Sequence, residues 1–481
     1  MTIKIGAPTI ISIMLSRIGV VLSKSSLIVC LATALALGVV SSVFGALSEQ
    51  VSEVVLPNGL KIILLENRKA PLITFQVWYR VGSRNEEWGK TGLSHLLEHM
   101  MFKGTEKIGP GEFSRIVEQN GGDENAFTSY DFTAYFENMS SDRVQIPIRL
   151  ESDRMQGLLL REEDFKTEKS VVMEERRLRT DDNPKAVLQE QLQATAFQVQ
   201  PYHWPIIGWM QDIARLTVDD LRKYYKVYYN PVNAFIVVVG DFKKEAILPM
   251  IEQTFGPIPK GVAPDQHKDT EMPQLGERRI VVRKEAQLAS IVKSYYVPNL
   301  KSPDSYVLEV IAALLATGET SRLNSNLVRE KQLALSVDAD NELTSRDPNL
   351  FSVAADILPG KTVGQVEKAL LEEIKRLQKE LVGQRELEKA KNQIEAGFTF
   401  GQDSLFYQGM LLAMYEIASS WKDIDKFVPI IRAVTAEDVR RVANKYLVES
   451  NCTTAILEPI PSAEPKPVQP GSPSRERTIV R

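Results

Sequence analysis

Few residues of this 481-residue chain can bind a transition metal or form a disulfide, because it has only four histidines and two cysteines. Cys30 lies in an apolar N-terminal run and Cys452 lies near the C-terminus. If the N-terminal run is removed, one cysteine remains, so cysteine content cannot identify the compartment. The chain also lacks a long basic cluster and has a formal net charge of −4. We therefore expect no nucleic-acid partner.

Acidic residues are missing from the first 46 positions, which carry only Lys4, Arg17 and Lys24 as charged residues, so removing this segment changes the net charge from −4 to −7. An uncharged run over 25–46 follows and ends in small residues, as in a secretory signal peptide. The run is also long enough to span a bilayer, so an uncleaved N-terminal membrane anchor is an alternative. Either way we expect an exported protein that is periplasmic or anchored at the membrane facing the periplasm.

The rest of the chain is long enough for two domains of about 200 residues each. Strand-like and helix-like periodicities alternate from residue 51 onward, which predicts an α+β fold. Residues 258–277 are rich in proline, glycine and charge, so we predict a linker between domains at 51–257 and 278–460. Residues 461–481 are predicted to be a disordered tail.

The two predicted domains contain similar segments. Residues 216–241 align without gaps on residues 434–459, each with a threonine before a helical pattern (Thr217 and Thr435) and an apolar strand after it. The repeat favours two homologous domains, each a mostly antiparallel sheet covered by helices.

Two of the four histidines lie in the stretch GLSHLLEHMMFKGTE, residues 92–106. In a helix, His95 and His99 would project from the same face, with Glu98 beside them. Two imidazoles at this spacing suit a zinc ion, and Glu98 could take a proton from a zinc-bound water whose pKa the metal has lowered. The order H-x-x-E-H is the inverted zincin motif of metalloproteases.

A catalytic zinc site needs a third protein ligand. The acidic, helical segment TEKSVVMEERRLRTDDNP places Glu168 and Glu175 seven residues apart on one helical face, while Glu174 points elsewhere. One of the pair can bind the metal and the other can orient a histidine or the metal site.

With these motifs the chain resembles the family of pitrilysin, insulin-degrading enzyme and mitochondrial processing peptidase, over about residues 51–460. The resemblance is to the short, two-domain bacterial and mitochondrial members and implies a clam-like shell. It implies one Zn²⁺ per chain.

The resemblance also assigns individual roles. His95 and His99 match the zinc histidines, Glu175 the glutamate ligand and Glu98 the general base. Glu168 matches the acid that supports the site from behind the ligands.

The segment GGDENAFTSYDFTAYFE resembles the family's substrate-binding edge strand. There Asn125 and Ala126 would face an extended peptide that adds to the sheet through main-chain hydrogen bonds. Such pairing tolerates many substrate sequences.

One feature departs from the family pattern. Members that work alone carry an arginine and, seven residues later, a tyrosine that hold substrate and stabilise the oxyanion. Arg329 matches the arginine, but the tyrosine's place falls on Leu335 or Ser336. We expect a homologous zinc-less subunit to supply the missing pair. The alternatives are a homodimer, another donor residue or weaker activity.

The sequence thus predicts an exported zinc endopeptidase that hydrolyses unfolded peptides or small proteins. One rival is a non-proteolytic scaffold or assembly subunit of the same fold, although such relatives have usually lost the zinc residues. A metal storage or sensor protein is a further rival, but it would not need Glu98.

Overall fold

The computed structural model describes residues 47–265 and 270–461. The described residues form one compact unit. The predicted leader, residues 1–46, and nearly all of the predicted tail lie outside the described residues. None of the helices in the described ranges has the length and apolar character needed to cross a membrane.

The strands of the described residues form two sheets. The first sheet contains β1 (Val51–Val55), β2 (Lys61–Glu66), β3 (Leu72–Tyr79), β4 (Asp123–Thr128), β5 (Thr133–Ser140) and β6 (Ala234–Gly240). The second sheet contains β7 (Arg278–Glu285), β8 (Ser290–Val297), β9 (Ala334–Asn341), β10 (Asn349–Ile357) and β11 (Cys452–Ile460).

Helices surround both sheets. In the first half they are α1 (Leu47–Gln50), α2 (Leu93–Met100), α3 (Glu112–Gln119), α4 (Gln145–Gly157), α5 (Glu162–Arg176), α6 (Pro184–Ala196), α7 (Met210–Arg215), α8 (Val218–Tyr228) and α9 (Lys244–Phe255). In the second half they are α10 (Pro303–Ala316), α11 (Val363–Lys379), α12 (Gln384–Gly401), α13 (Leu405–Ala418), α14 (Phe427–Ala433) and α15 (Ala436–Tyr446). The predicted α+β class is confirmed.

The two sheets have the same strand order. The first runs β1-β2-β6-β3-β5-β4 and the second β7-β11-β8-β10-β9, so they match once β1 is left out. In each sheet the late strand, β6 or β11, inserts between two early ones, parallel to one and antiparallel to the other. This shared topology agrees with two homologous halves.

The aligned segments adopt equivalent structures. Helices α8 and α15 each begin after a threonine whose hydroxyl accepts a backbone N–H, from Asp220 to Thr217 and from Asp438 to Thr435. Both aspartates bond back to their threonines and complete a capping box. Each helix is followed by the strand that inserts into its sheet, β6 or β11.

Two helices pack across the halves. Helix α6 of the first half covers β7 and β11 through Leu188 and Leu192, which are buried against Ala455 and Leu457. In the reverse direction, α13 of the second half packs on β3 and β6. Because each half covers part of the other's sheet, the halves share buried surface.

The described part of 258–277 contains neither helix nor strand, and the division into domains stays a prediction.

Candidate active site

The inverted motif lies on helix α2, as its spacing predicts. Before this helix Gly92 has a φ of 92°, and a Cβ there would lie 2.7 Å from the carbonyl oxygen of Ile207, so only glycine fits. The buried Glu86 carboxylate accepts the N–H groups of Gly92 and Ser94, both at 2.7 Å. These bonds satisfy donors at the start of the helix and fix its position.

The structure brings together the side chains of His95, His99 and Glu175. Oε2 of Glu175 lies 3.3 Å from Nε2 of His99 and 3.7 Å from Nε2 of His95. Ligand atoms of the three residues all lie within 4.8 Å of one another. A tetrahedral zinc with bonds of about 2.0–2.1 Å separates its ligands by about 3.3–3.4 Å. The donor set and its spacing therefore fit zinc, with α2 and α5 each supplying part of the site.

Charged neighbours orient two of these side chains. Nδ1 of His99 lies 3.2 Å from Oε2 of Glu168, so its Nε2 is turned toward Glu175. Lys103 forms a short ion pair with the other oxygen of Glu168. Arg179, on the π-helical turn that continues α5, contacts Oε1 of Glu175 at 2.7 Å and leaves Oε2 facing the imidazoles. By contrast, Nδ1 of His95 is buried and has no hydrogen-bond partner among the described residues.

The two histidines differ in pKa. Burial and the neighbouring charge on His99 lower the pKa of His95 to about 4. Burial also disfavours the charged form of His99, but hydrogen bonds with Glu168 and Glu175 outweigh it and raise its pKa to about 9. Bonding to His99 in turn lowers the pKa of Glu175. Without a metal, a proton on His99 therefore compensates the negative charge of Glu168 and Glu175. A cation bound by His99 would replace this proton.

Glu98 lies beside the triad of His95, His99 and Glu175. A residue of another element fixes its side chain. Its Oε2 accepts a hydrogen bond from Oγ1 of Thr128, in β4, at 2.5 Å. Burial raises the pKa of Glu98, while the Thr128 hydroxyl acts in the opposite direction. A carboxylate with a raised pKa and a fixed orientation is suited to accept and return a proton near neutral pH.

Strand β4 lies at the edge of the first sheet and pairs with β5. Asn125 is exposed and Ala126 half-buried on this strand, and the Ala126 N–H donates to Oδ1 of Asn125 at 2.9 Å. A free sheet edge can receive an extended peptide through its main chain. The positions of both residues agree with the predicted substrate strand, although their role stays a prediction.

A cavity of about 410 Å³ opens between this strand and the triad. His95, Glu98 and Glu175 line it together with Ala126 and Thr128. Helix α6 and residues 205–207 form further walls, with Phe127, Tyr130, Arg179 and Thr180 completing the lining. A peptide along β4 would thus have side-chain space beside the triad.

The predicted second-half residues lie elsewhere. Arg329 forms a short ion pair with Glu319 and is not among the residues that line this cavity. At the start of edge strand β9, Leu335 is 56% exposed, and the Ser336 hydroxyl donates to Oδ2 of Asp356 at 2.8 Å. Neither supplies a phenol, and the role of Arg329 stays a prediction.

Sequence reasoning missed several residues of the site. Arg179 lies one helical turn beyond Glu175, so the i,i+4 rule could have found it. Lys103 lies beyond the end of α2 and pairs with Glu168 of α5, so no local spacing predicts its contact. Glu86 and Thr128 have no such signal, since only the tertiary fold brings the loop before α2 and strand β4 to the motif.

Comparison with protein families gives two matches that follow one another along the chain. A family profile described as "Insulinase (Peptidase family M16)" matches residues 61–208. A second, described as "Peptidase M16 inactive domain", matches residues 215–394.

Individual proteins agree with these profiles. The chain is 34% identical to the zinc protease PqqE of Helicobacter pylori, over 84% of this chain and 92% of that protein. It is 26% identical to a probable mitochondrial-processing peptidase subunit beta of Arabidopsis thaliana, over 84% and 78%. The crystal structure of a protease from Helicobacter pylori superimposes with a TM-score of 0.82 at 33% identity, covering 85% of this chain and 99% of that one.

Proposed function

The chain belongs to the M16 peptidase family, and we propose that it is a zinc-dependent endopeptidase that hydrolyses unfolded peptides or small proteins. The observation that carries the proposal is the proximity of His95, His99 and Glu175 to one another. Glu98 lies half-buried beside them, and it lines one cavity together with His95 and Glu175.

His95, His99 and Glu175 would hold one zinc ion. Their two nitrogens and one oxygen form a donor set that catalytic zinc sites use, and three protein ligands leave one position open. Glu168 would keep the His99 ring turned toward the ion through its contact with Nδ1. A zinc ion bound here supplies Lewis-acid polarisation of the scissile carbonyl and lowers the pKa of water.

Glu98 would act as the general base. Its carboxylate takes a proton from the attacking water at Oε1 or Oε2 and returns it to the leaving amine nitrogen. The Thr128 hydroxyl fixes the carboxylate while it does so. General-base catalysis of this kind contributes about 10²–10⁴-fold to the rate.

Substrate would bind as an added strand along β4. Asn125 and Ala126 lie on this free edge, and Ala126 also lines the cavity beside the triad. Because an added strand must be extended, folded proteins would be poor substrates.

A second subunit would complete the site. Arg329 does not line the cavity of its own chain, and no tyrosine follows it at the family's position. We propose that a homologous zinc-less subunit supplies an arginine and tyrosine, with a homodimer as the alternative. One relative at 26% identity is itself named as a subunit, of mitochondrial-processing peptidase.

The leader supports export to the periplasm or tethering at the membrane facing it. A non-proteolytic scaffold of the same fold remains the rival function, and the second family profile carries the description "inactive domain". The scaffold hypothesis does not require Glu98, which gives the rivals different expectations.

The test replaces Glu98 by Gln and measures peptide cleavage together with zinc content. We expect the variant to keep one zinc per chain and to lose cleavage by about 10²–10⁴-fold. Glu174→Gln is the matched control, because Glu174 is exposed and pairs with Arg177. Equal cleavage by the Glu98→Gln variant and the unaltered chain would exclude the proposed mechanism, and no cleavage by the unaltered chain, alone or with a co-purified homologue, would favour a scaffold.

A further inference from the structure

Charged side chains in the cavity wall already have partners. The Glu190 carboxylate accepts hydrogen bonds from both terminal nitrogens of the buried Arg176, at 2.8 and 3.0 Å. Arg179 contacts Glu175 and is 76% exposed. Apart from the triad and Glu98, the described residues of the wall therefore offer no uncompensated charge to a substrate side chain.

Away from the zinc-ligand candidates, Gln193 is a buried polar residue of the wall that lacks a full set of partners among the described residues. It is 9% exposed, and its Nε2 lies 3.4 Å from the hydroxyl of Tyr130, which also lines the cavity. Its Oε1 is buried without a hydrogen-bond partner in the described part of the chain. Rotation of the amide exchanges its two ends, so either an acceptor or a pair of donors stays free.

One feature keeps the Tyr130 hydroxyl protonated, and another holds the helix that carries Gln193 in place. Burial raises the pKa of Tyr130 to about 12, so the hydroxyl keeps its proton. Gln193 lies on α6 one helical turn after Gln189, on the helical face that lines the cavity, while Leu188 and Leu192 anchor the adjacent face to the second sheet. A fixed amide with an unmet hydrogen bond favours a ligand that meets it.

We propose that Gln193, with Tyr130, is a specificity-determining residue that selects an uncharged, hydrogen-bonding side chain of the asparagine or glutamine class next to the scissile bond. The inference rests on the proposed peptidase function and names the side chain it accepts. The apolar remainder of the wall would contact the methylene groups of that side chain; it contains Ala126, Phe127, Ala186, Ile206 and Ile207.

Charged substrate side chains should be disfavoured. A lysine would lose hydration and find Glu190 already compensated by Arg176. A glutamate would find only Arg179, whose charge is shared with Glu175 and screened by water.

The test uses alanine- and serine-based decapeptides with one central residue that is Gln, Met, Glu or Lys. Cleavage is located by mass spectrometry and kcat/KM is measured for each peptide. We expect cleavage beside the central residue and kcat/KM about tenfold higher for Gln than for Met, with Glu and Lys below Gln. The Gln193→Leu variant should remove the preference for Gln over Met, whereas Gln191→Leu, on an exposed position of the same helix, should keep it.

A second pair of measurements separates this inference from the proposed function. Tyr130→Phe removes only the hydroxyl and should also reduce the Gln-to-Met ratio, which covers the case of a Gln193→Leu variant that fails to fold. Zinc-loaded Glu98→Gln protein should bind the Gln peptide about tenfold more tightly than the Met peptide, even if cleavage fails. Unchanged ratios in both wall variants, equal binding, or a preference for the Glu or Lys peptide would overturn the inference.

Discussion

Removing the hydroxyl of Thr128 gives a sharp prediction about Glu98. Thr128→Val keeps the shape of the side chain but removes the hydrogen bond that Oγ1 donates to Glu98 at 2.5 Å. That bond favours the charged carboxylate and opposes the effect of burial. A hydrogen bond to a charged group contributes about 1.5–3 kcal/mol. Without this bond the pKa of Glu98 should rise further above its ordinary value.

The sign of the effect on activity follows from the role of Glu98 as a base. A higher pKa leaves less ionised carboxylate at low pH, so the acid limb of the kcat/KM profile should move to higher pH. Activity should recover at higher pH. The assay is peptide cleavage from pH 5 to 9 with zinc present throughout. Thr128→Ser, which keeps a hydroxyl, should follow the unaltered chain. An acid limb that does not move in Thr128→Val would refute a role for this hydrogen bond in setting the pKa of Glu98.

Three further substitutions test the site and its support. Glu168→Gln should weaken zinc binding by about 10–100-fold, because His99 loses its orienting carboxylate; competition with a chelating dye measures it, and unchanged affinity would contradict it. Arg154→Met should lower the free energy of unfolding in urea by about 3–5 kcal/mol, since it leaves the buried Glu151 and Glu137 without their cation. Adding Glu151→Leu and Glu137→Leu should restore most of that loss, and no restoration would refute the explanation. Gln332, with a φ of 48°, is the only non-glycine residue of the described ranges with positive φ. Gln332→Gly should raise thermal stability by about 0.5–1 kcal/mol, and a lower melting temperature would contradict this.

Local pattern was sufficient to predict much of the fold. An Asn-Gly pair is itself a local turn signal, and Asn58 and Gly59 lie in the turn between β1 and β2, where Gly59 has a positive φ. Helices α8 and α15 begin after the predicted threonine caps. These features depend on residues close together in sequence, where propensity and hydrogen bonding decide the structure.

Contacts between distant segments could not be predicted in this way. Neither the packing of α6 on the second sheet nor that of α13 on the first has a local signal. The same is true of the site: helical spacing pairs His95 with His99, whereas the Thr128 contact to Glu98 and the Gln193 contact to Tyr130 arise only from the tertiary fold.

The most direct test of the account is X-ray absorption at the zinc edge on the purified, zinc-loaded chain. A zinc ion coordinated by His95, His99 and Glu175 should give a first shell of nitrogen and oxygen atoms at about 2.0–2.1 Å. The outer-shell scattering should come from two imidazoles. His99→Ala should remove one imidazole from that signal. A sulfur ligand from Cys452, scattering from a single imidazole, or a chain that retains no zinc would contradict the account.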